Sequence, residues 1–195
     1  MKKALAGIAL LCVPLAGLAQ SESYTLDPYH TIPHFQLEYH GFGTITGRFD
    51  KAAGKFIIDR AARKAALEFD IESASINTAD GDRGKRPRSR DEHLRTGDFF
   101  NVMEFPRISF RSTSVRFSGD APAEIEGQVT LLGVTRPLTF NVERWVCKEH
   151  AVYKRPACGG NATALLKRSE FGMKYGIPSI SDEVRLSTLF LGFRD

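Results

Sequence analysis

Apolar and polar residues alternate along most of the chain after residue 20. In the segments 35–40, 67–72 and 138–142, an apolar side chain stands at every second position. Period-two alternation is typical of a β-strand with one buried and one exposed face. The same pattern recurs through the chain in the segments 45–49, 108–110, 125–131 and 184–186. The pattern therefore predicts about eight strands.

Turn-forming residues separate these segments. Gly, Pro or Asp occur in the connections 50–54, 118–122, 132–137 and 176–178. Short connections favour antiparallel hairpins, and the one helical stretch is brief, at 90–96. Because nothing else covers the sheet edges, we expect the sheet to close on itself. The predicted fold is all-β: a single antiparallel eight-stranded barrel with one short helix and a long basic loop.

The interior of such a barrel is either filled by side chains or holds one slender ligand. Gly43, Gly47 and Gly127 fall on the inward face and leave space there. Large apolar side chains share that face and are the predicted interior ligand contacts: Phe35, Leu37, Tyr39, Ile45, Phe49, Leu67, Phe69, Phe110, Leu131 and Phe140. The pattern alone leaves open whether these residues pack as a core or line a cavity.

The first nineteen residues have the composition of a secretory signal peptide. Lys2 and Lys3 precede the apolar run 4–18, and Ala19 ends it. The run is shorter than the ~20 residues that a membrane-spanning helix needs. We therefore predict a signal peptide at 1–19, a single domain at 20–195, and a periplasmic location.

Two cysteines follow the predicted signal peptide, Cys147 and Cys158. An even number of cysteines in an exported chain predicts a disulfide bond. A redox pair would favour the spacing Cys-x-x-Cys, which the sequence lacks. The predicted bond is therefore structural.

Five cations crowd the segment 83–90: Arg83, Lys85, Arg86, Arg88 and Arg90. Gly and Pro interrupt the run, which predicts a loop. The loop is either simply solvated or attracted to an anionic membrane surface or lipid head group. Nucleic acid is not a predicted partner because no aromatic residues interleave with the cations.

Arg90, Asp91 and His93 offer acid–base chemistry. An enzyme would need a nucleophile or metal beside them, and the sequence has neither a serine elbow nor a His-x-x-x-His motif. The structural alternative is that Asp91 caps the short helix and His93 holds the loop on the barrel. We predict no catalytic residue and no enzyme activity.

His30, His34 and His40 suggest a metal site, but four residues of strand span ~13 Å, so no metal site is predicted. A histidine near the barrel mouth that contacts a ligand head group is the preferred interpretation. The predicted mouth contacts are His30, Arg90, Asp91, His93, Phe99 and Phe100. Phe99 and Phe100 form either a lip over the mouth or a plug in it.

Several ordered motifs resemble the YceI-like family, whose members are exported lipocalin-like barrels that bind polyisoprenoid lipids. The strongest are Arg90-Asp91-Glu92-His93-Leu94-Arg95, Asp98-Phe99-Phe100-Asn101, Phe105-Pro106-Arg107-Ile108-Ser109-Phe110, Gly127-Gln128-Val129-Thr130-Leu131-Leu132-Gly133-Val134-Thr135-Arg136-Pro137 and Arg168-Ser169-Glu170-Phe171-Gly172. The similarity covers nearly all of the predicted domain. The basic segment 83–90 and the cysteine-bearing segment depart from the family pattern.

The resemblance implies a periplasmic carrier that holds a long-chain isoprenoid lipid, either a polyisoprenoid or an isoprenoid quinone, inside the barrel. Such a carrier requires no cofactor, and the lipid is its bound ligand. Transient contact with the membrane surface or a membrane redox protein is expected, and homodimerisation stays open. The alternative is a stress-related periplasmic interaction protein whose barrel is filled by side chains and carries no lipid.

Overall fold

The computed structural model describes residues 21–195, so the predicted signal peptide lies outside the described residues. The strands are β1 Glu22–Leu26, β2 Ile32–Tyr39, β3 Gly43–Phe49, β4 Ala52–Asp59, β5 Lys64–Glu72, β6 Ile76–Asn77, β7 Arg107–Ser118, β8 Ala121–Leu131, β9 Val134–Glu149, β10 Pro156–Lys167 and β11 Glu183–Arg194. The helix α1 spans Arg90–Leu94, and 3-10 turns span Ser73–Ser75 and Arg168–Phe171. In residues 21–195, none of the helices has the length and apolar character needed to cross a bilayer.

Eight strands close the barrel in the order β1, β4, β5, β7, β8, β9, β10 and β11, with β11 returning to β1. Every pairing around this ring is antiparallel. Closure leaves the ring without an open edge. The predicted all-β barrel with one short helix is confirmed.

Strand β11 is long enough to pair with two different strands along one side. Its end Gly192–Arg194 pairs with β1, and the stretch Arg185–Leu189 pairs with β2. Between them, Thr31 Oγ1 accepts a hydrogen bond from the Leu191 backbone N–H at 3.2 Å. As a result β2, β3 and β6 extend the wall beyond the ring at one end, which also carries α1 and is called the α1 end below.

The strands of the ring differ from the predicted set in three places. Strand β4 was not predicted, and it begins at Ala52 within the segment 50–54 that was predicted as a turn. Strand β1 is only five residues long, too short for a clear alternation. The inward residues of β10 are small, including Cys158, Ala162 and Ala164, so no large apolar side chains marked it as a strand. The count of eight is right for the ring, but β2 and β3 lie outside it.

A disulfide bond joins Cys147 on β9 to Cys158 on β10, as predicted. The two residues are direct cross-strand partners, with Cα atoms 4.1 Å apart. The bridge lies at the opposite end of the barrel from α1, called the disulfide end below. It fixes the hairpin that closes this end of the wall.

Candidate functional site

An inner cavity of about 70 Å³ lies toward the disulfide end of the barrel. The Phe56 and Trp145 rings line it and meet at 5.6 Å, and the Tyr24 ring stacks on Phe56 at 4.7 Å. The buried indole N–H of Trp145 meets no acceptor within residues 21–195. Ala162 of β10 lines the same cavity, and its small side chain helps to keep the space open.

An outer cavity of about 140 Å³ lies toward the α1 end. Its volume is close to the ~150 Å³ of an apolar cavity that holds one benzene molecule. Phe69, Phe110 and Phe140 line both cavities, and the Phe110 and Phe140 rings meet edge to face at 5.2 Å. These three phenylalanines form a waist between the cavities.

A groove of about 770 Å³ opens at the α1 end, between the β2–β3 hairpin, the basic loop and the segment 173–180. Its floor is apolar and its rim carries Arg86, Arg88, Arg90 and His93. The groove and the outer cavity share lining residues, namely Phe35, Leu37, Leu94, Phe99 and Ile180. An apolar route therefore leads from a polar rim into the barrel.

His93 lies at the centre of the rim. Its Nε2 is 2.7 Å from Asp98 Oδ2 and 2.7 Å from Arg88 Nη2. A protonated Nε2 donates a hydrogen bond to Asp98 and an unprotonated Nε2 accepts one from Arg88, so the nitrogen serves only one of these partners at a time. The ring also meets Phe99 and Tyr175 edge to face, each at 5.0 Å. Arg88 Nη2 also lies 3.5 Å from Asp98 Oδ2, and since a guanidinium carries five N–H donors, Arg88 retains donors for a ligand in the groove.

The helix that positions His93 is held by local hydrogen bonds. Ser89 caps α1 by accepting from the Glu92 N–H, and the Glu92 side chain accepts from the Ser89 N–H, forming a capping box. The interpretation of Asp91 as the helix cap is therefore wrong. The buried Asp91 carboxylate instead accepts from the Thr78 N–H at 2.9 Å and from its hydroxyl at 2.6 Å. Asp91 ties α1 to the chain after β6 and does not line the groove, contrary to its predicted place at the mouth.

Arg168 is the main support of the segment 173–180. It is 2% exposed, and its guanidinium donates to the carbonyl oxygens of Met173, Tyr175, Ile180 and Ser181 at 2.9–3.2 Å. Burial lowers the pKa of Arg168, while the charge of Asp182 acts in the opposite direction. The arginine thereby holds Tyr175 and Ile180 against the groove.

Tyr175 and Ile180 are groove residues that the sequence reasoning missed. Both lie in an irregular segment, where no periodic pattern indicates which side chains face inward. The Arg168-Ser169-Glu170-Phe171-Gly172 motif was the available indication, since an arginine next to a strand end can hold a following loop. The carbonyl oxygens of this loop accept hydrogen bonds from four of the five N–H donors of the buried guanidinium.

Eight of the ten predicted interior residues line the two cavities. They are Phe35, Leu37, Phe49, Leu67, Phe69, Phe110, Leu131 and Phe140. Tyr39 and Ile45 instead line the groove outside the ring, and Tyr39 is 40% exposed. Their strands β2 and β3 continue beyond the ring, which places their far ends outside the barrel. Contact of any of these residues with a ligand stays a prediction.

Among the predicted mouth residues, Arg90, His93 and Phe99 line the groove, and Phe100 lines the outer cavity. Phe99 is 7% exposed, which favours the plug over the lip. His30 is not at the mouth. Its ring pairs with the Asp27 carboxylate in the connection between β1 and β2, and it lines a shallow depression that includes Val146 and Lys148 of β9, near the disulfide end.

Phenylalanine rings occupy two of the three predicted glycine spaces. A Cβ at Gly47 would lie 2.2 Å from the Phe35 ring, and one at Gly127 would lie 2.4 Å from the Phe110 ring. Gly43 stands at the β2–β3 turn with φ 148° and faces open space. Gly47 and Gly127 therefore receive aromatic rings. The empty space in the barrel instead adjoins the small residue Ala162.

The basic loop folds back on its own acidic residues in part. Arg86 and Arg90 both pair with Asp80, and the hydrogen bond from Arg86 is the largest cause that holds the Asp80 pKa below its ordinary value. Arg83 and Lys85 are exposed and take part in none of the ion pairs found among residues 21–195. The loop thus presents two unneutralised cations beside the groove.

Comparisons with known proteins agree with this architecture. The YceI-like domain family matches residues 24–190. A UPF0312 protein of Pseudomonas aeruginosa is 32% identical over 200 aligned positions, covering 100% of this chain and 99% of the relative. A UPF0312 protein of Pseudomonas putida is 31% identical and covers 89% of this chain and 88% of the relative.

Solved structures share the fold at lower identity. Burkholderia cenocepacia BcnA has a TM-score of 0.69 with 17% identity, covering 85% of this chain and 98% of that one. A polyisoprenoid binding domain from Saccharophagus degradans has a TM-score of 0.61 with 18% identity, covering 88% of this chain and 98% of that one. At these identities the likeness establishes the fold.

Proposed function

The chain belongs to the YceI-like domain family, and from this premise we propose that it is a periplasmic carrier of a long-chain isoprenoid lipid. The observation that carries the proposal is the apolar route from the rim of the groove through the outer cavity to the inner one. The solved relative described as a polyisoprenoid binding domain supports the same ligand class. The proposed ligand is a polyisoprenoid or an isoprenoid quinone, and binding requires neither a cofactor nor turnover.

The tail and the head group take different parts of the site. The tail passes Phe35 and Phe99 into the outer cavity, where burial contributes ~25 cal/mol per Å² of apolar surface. The head group stays in the groove, where the Arg88 guanidinium supplies hydrogen-bond donors. A quinone carbonyl or a phosphate oxygen accepts from this group, so the rim fits both ligands.

The waist sets how deeply a tail reaches. With the rings of Phe110 and Phe140 in contact, each cavity accommodates roughly one small apolar group. A long tail therefore has to turn these rings aside to join the two cavities. Affinity should rise with tail length and level off once the inner cavity is filled.

Trp145 provides a direct test because it is the single tryptophan of the chain and lines the inner cavity. Titration with isoprenoid quinones of increasing tail length should shift its fluorescence emission only when the tail is long enough to pass the waist and contact the indole in the inner cavity. Solvent extraction of purified protein, followed by mass spectrometry, should recover a stoichiometric isoprenoid.

Ala162→Leu fills the inner cavity and should weaken binding of long tails by about tenfold or more. Asn161→Leu is the matched control, since Asn161 is the exposed neighbour on the same strand. Protein that yields no lipid from native membranes and takes up none when it is added would contradict the carrier and favour the filled barrel.

A further inference from the structure

Two large apolar side chains stand almost fully exposed at the α1 end. Phe42 is 92% exposed at the turn between β2 and β3, and Met103 is 93% exposed between α1 and β7. Single exposed apolar residues are common on protein surfaces. Here they occur at the end where the groove opens, and they are the two most exposed large apolar residues within 21–195.

The basic loop lies at this same end. Arg86, Arg88 and Arg90 of the loop line the groove together with Tyr39 and His40, which directly precede the turn that carries Phe42. The loop's Arg83 and Lys85 are exposed and outside the ion pairs described above. Apolar tips and unneutralised cations on one end match the interface of an anionic bilayer, where apolar groups sit below the charged head groups.

We propose that the α1 end docks reversibly on an anionic phospholipid bilayer, with Phe42 and Met103 in the interfacial layer and Arg83 and Lys85 over the lipid head groups. The docked protein places the opening of the groove on the membrane surface. Because only two apolar tips and two free cations contribute, the contact is weak enough for the protein to leave again. The docking surface lies outside the barrel, so membrane docking is tested independently of the lipid that the barrel carries.

The disulfide end supplies a matched control. Val152 is 76% exposed in the turn between β9 and β10. Lys148 and Lys154 lie near it, exposed and outside the ion pairs of residues 21–195. Changes at this end therefore remove the same charge as changes at the α1 end, and they remove an exposed apolar side chain of smaller area.

Co-sedimentation tests the charge contribution. The full mature chain is mixed with vesicles of phosphatidylcholine and phosphatidylglycerol, or of phosphatidylcholine alone. Arg83→Gln with Lys85→Gln should lower partitioning onto the anionic vesicles by roughly thirtyfold, from ~1 kcal/mol per cation. Lys148→Gln with Lys154→Gln carries the same net charge and should lower it by less than about threefold.

The apolar contribution has its own pair of variants. Phe42→Ser should lower partitioning by about tenfold or more, whereas Val152→Ser should leave it nearly unchanged. Circular dichroism establishes that each variant is folded. Equal losses from both ends would overturn the proposed orientation, since they would indicate attraction by net charge alone. Absence of binding to anionic vesicles would overturn the docking itself and leave an acidic protein as the partner to seek.

Discussion

Arg168 donates a hydrogen bond from Nη1 to the carbonyl oxygen of Tyr175 at 2.9 Å. The hydrogen bond joins a buried charge beside the barrel wall to the backbone of a residue whose side chain lines the groove. Tyr175 in turn meets His93 and Phe99 at 5.0 and 5.2 Å. Arg168 therefore shapes the groove without lying on its rim.

Arg168→Lys should destabilise the protein by about 2–4 kcal/mol, because a single ammonium cannot reach all the carbonyl oxygens and leaves buried acceptors unpaired. Urea denaturation measures the loss. Lys167→Gln, at the exposed neighbouring position, should change stability by less than about 0.5 kcal/mol. Limited proteolysis should cut the variant first within 174–181, and unchanged resistance there would contradict the supporting role.

The sequence predicts the barrel better than the groove. Strand β8 alternates large apolar residues such as Ile125, Val129 and Leu131, so its inward face can be identified from periodicity. Strand β10 presents Cys158 and Ala162 instead, and small residues carry little signal although Ala162 lines the inner cavity. Periodicity thus identifies the large inward residues that fill the barrel and overlooks the small ones beside which a cavity remains.

The placement of polar residues depends on partners far away in the chain. Asp91 follows Ser89 and resembles a helix cap, but it accepts hydrogen bonds from Thr78, thirteen residues earlier. His30 resembles a mouth residue, yet the shared use of β11 by β1 and β2 places it near the other end. Neither arrangement follows from local sequence, because both depend on which strands pair.

Gly127→Ala should cost about 1–3 kcal/mol by overpacking, since the new methyl group would lie 2.4 Å from the Phe110 ring and 2.5 Å from the Arg111 carbonyl oxygen. Gly47→Ala should cost less, because the three atoms nearest to its new methyl group belong to the end of the Phe35 side chain, which can shift more easily than the Arg111 backbone. Thermal unfolding measures both. Gly97→Ala meets nothing within 4 Å and serves as the control, and a larger loss at Gly47 than at Gly127 would contradict this ranking.

Removal of the disulfide by Cys147→Ala and Cys158→Ala should lower stability by about 2–3 kcal/mol, the entropy of closing a loop with a sequence separation of 11. Arg60, whose Nη2 lies 3.0 Å from Cys147 Sγ, would lose this contact as well. In the parent protein, a reductant should lower the free energy of unfolding by the same amount, about 2–3 kcal/mol. In the double variant, the reductant should leave the free energy of unfolding unchanged. A double variant as stable as the oxidised parent would contradict the estimate.

Asp182 should make stability depend on pH in the acid range. Burial opposes the charged form of its carboxyl group, but hydrogen bonds from Ser169 and the charge of Arg168 outweigh burial and hold the Asp182 pKa below 3.8. A depressed folded-state pKa stabilises the protein above the unfolded-state pKa, and this contribution disappears as pH falls through the folded-state pKa. The carboxylate accepts from the Ser169 N–H at 2.8 Å and from its hydroxyl at 2.7 Å.

Asp182→Asn should therefore be less stable than the parent by about 1–3 kcal/mol at neutral pH, the contribution of hydrogen bonds to a charged group. The difference should hold down to about pH 4 and shrink at lower pH, where the parent carboxyl group becomes protonated. Urea denaturation across this range measures it, with Asp120→Asn as the control because that side chain is 92% exposed. A difference that grows as pH falls would contradict the sign, since it would require a raised pKa at Asp182.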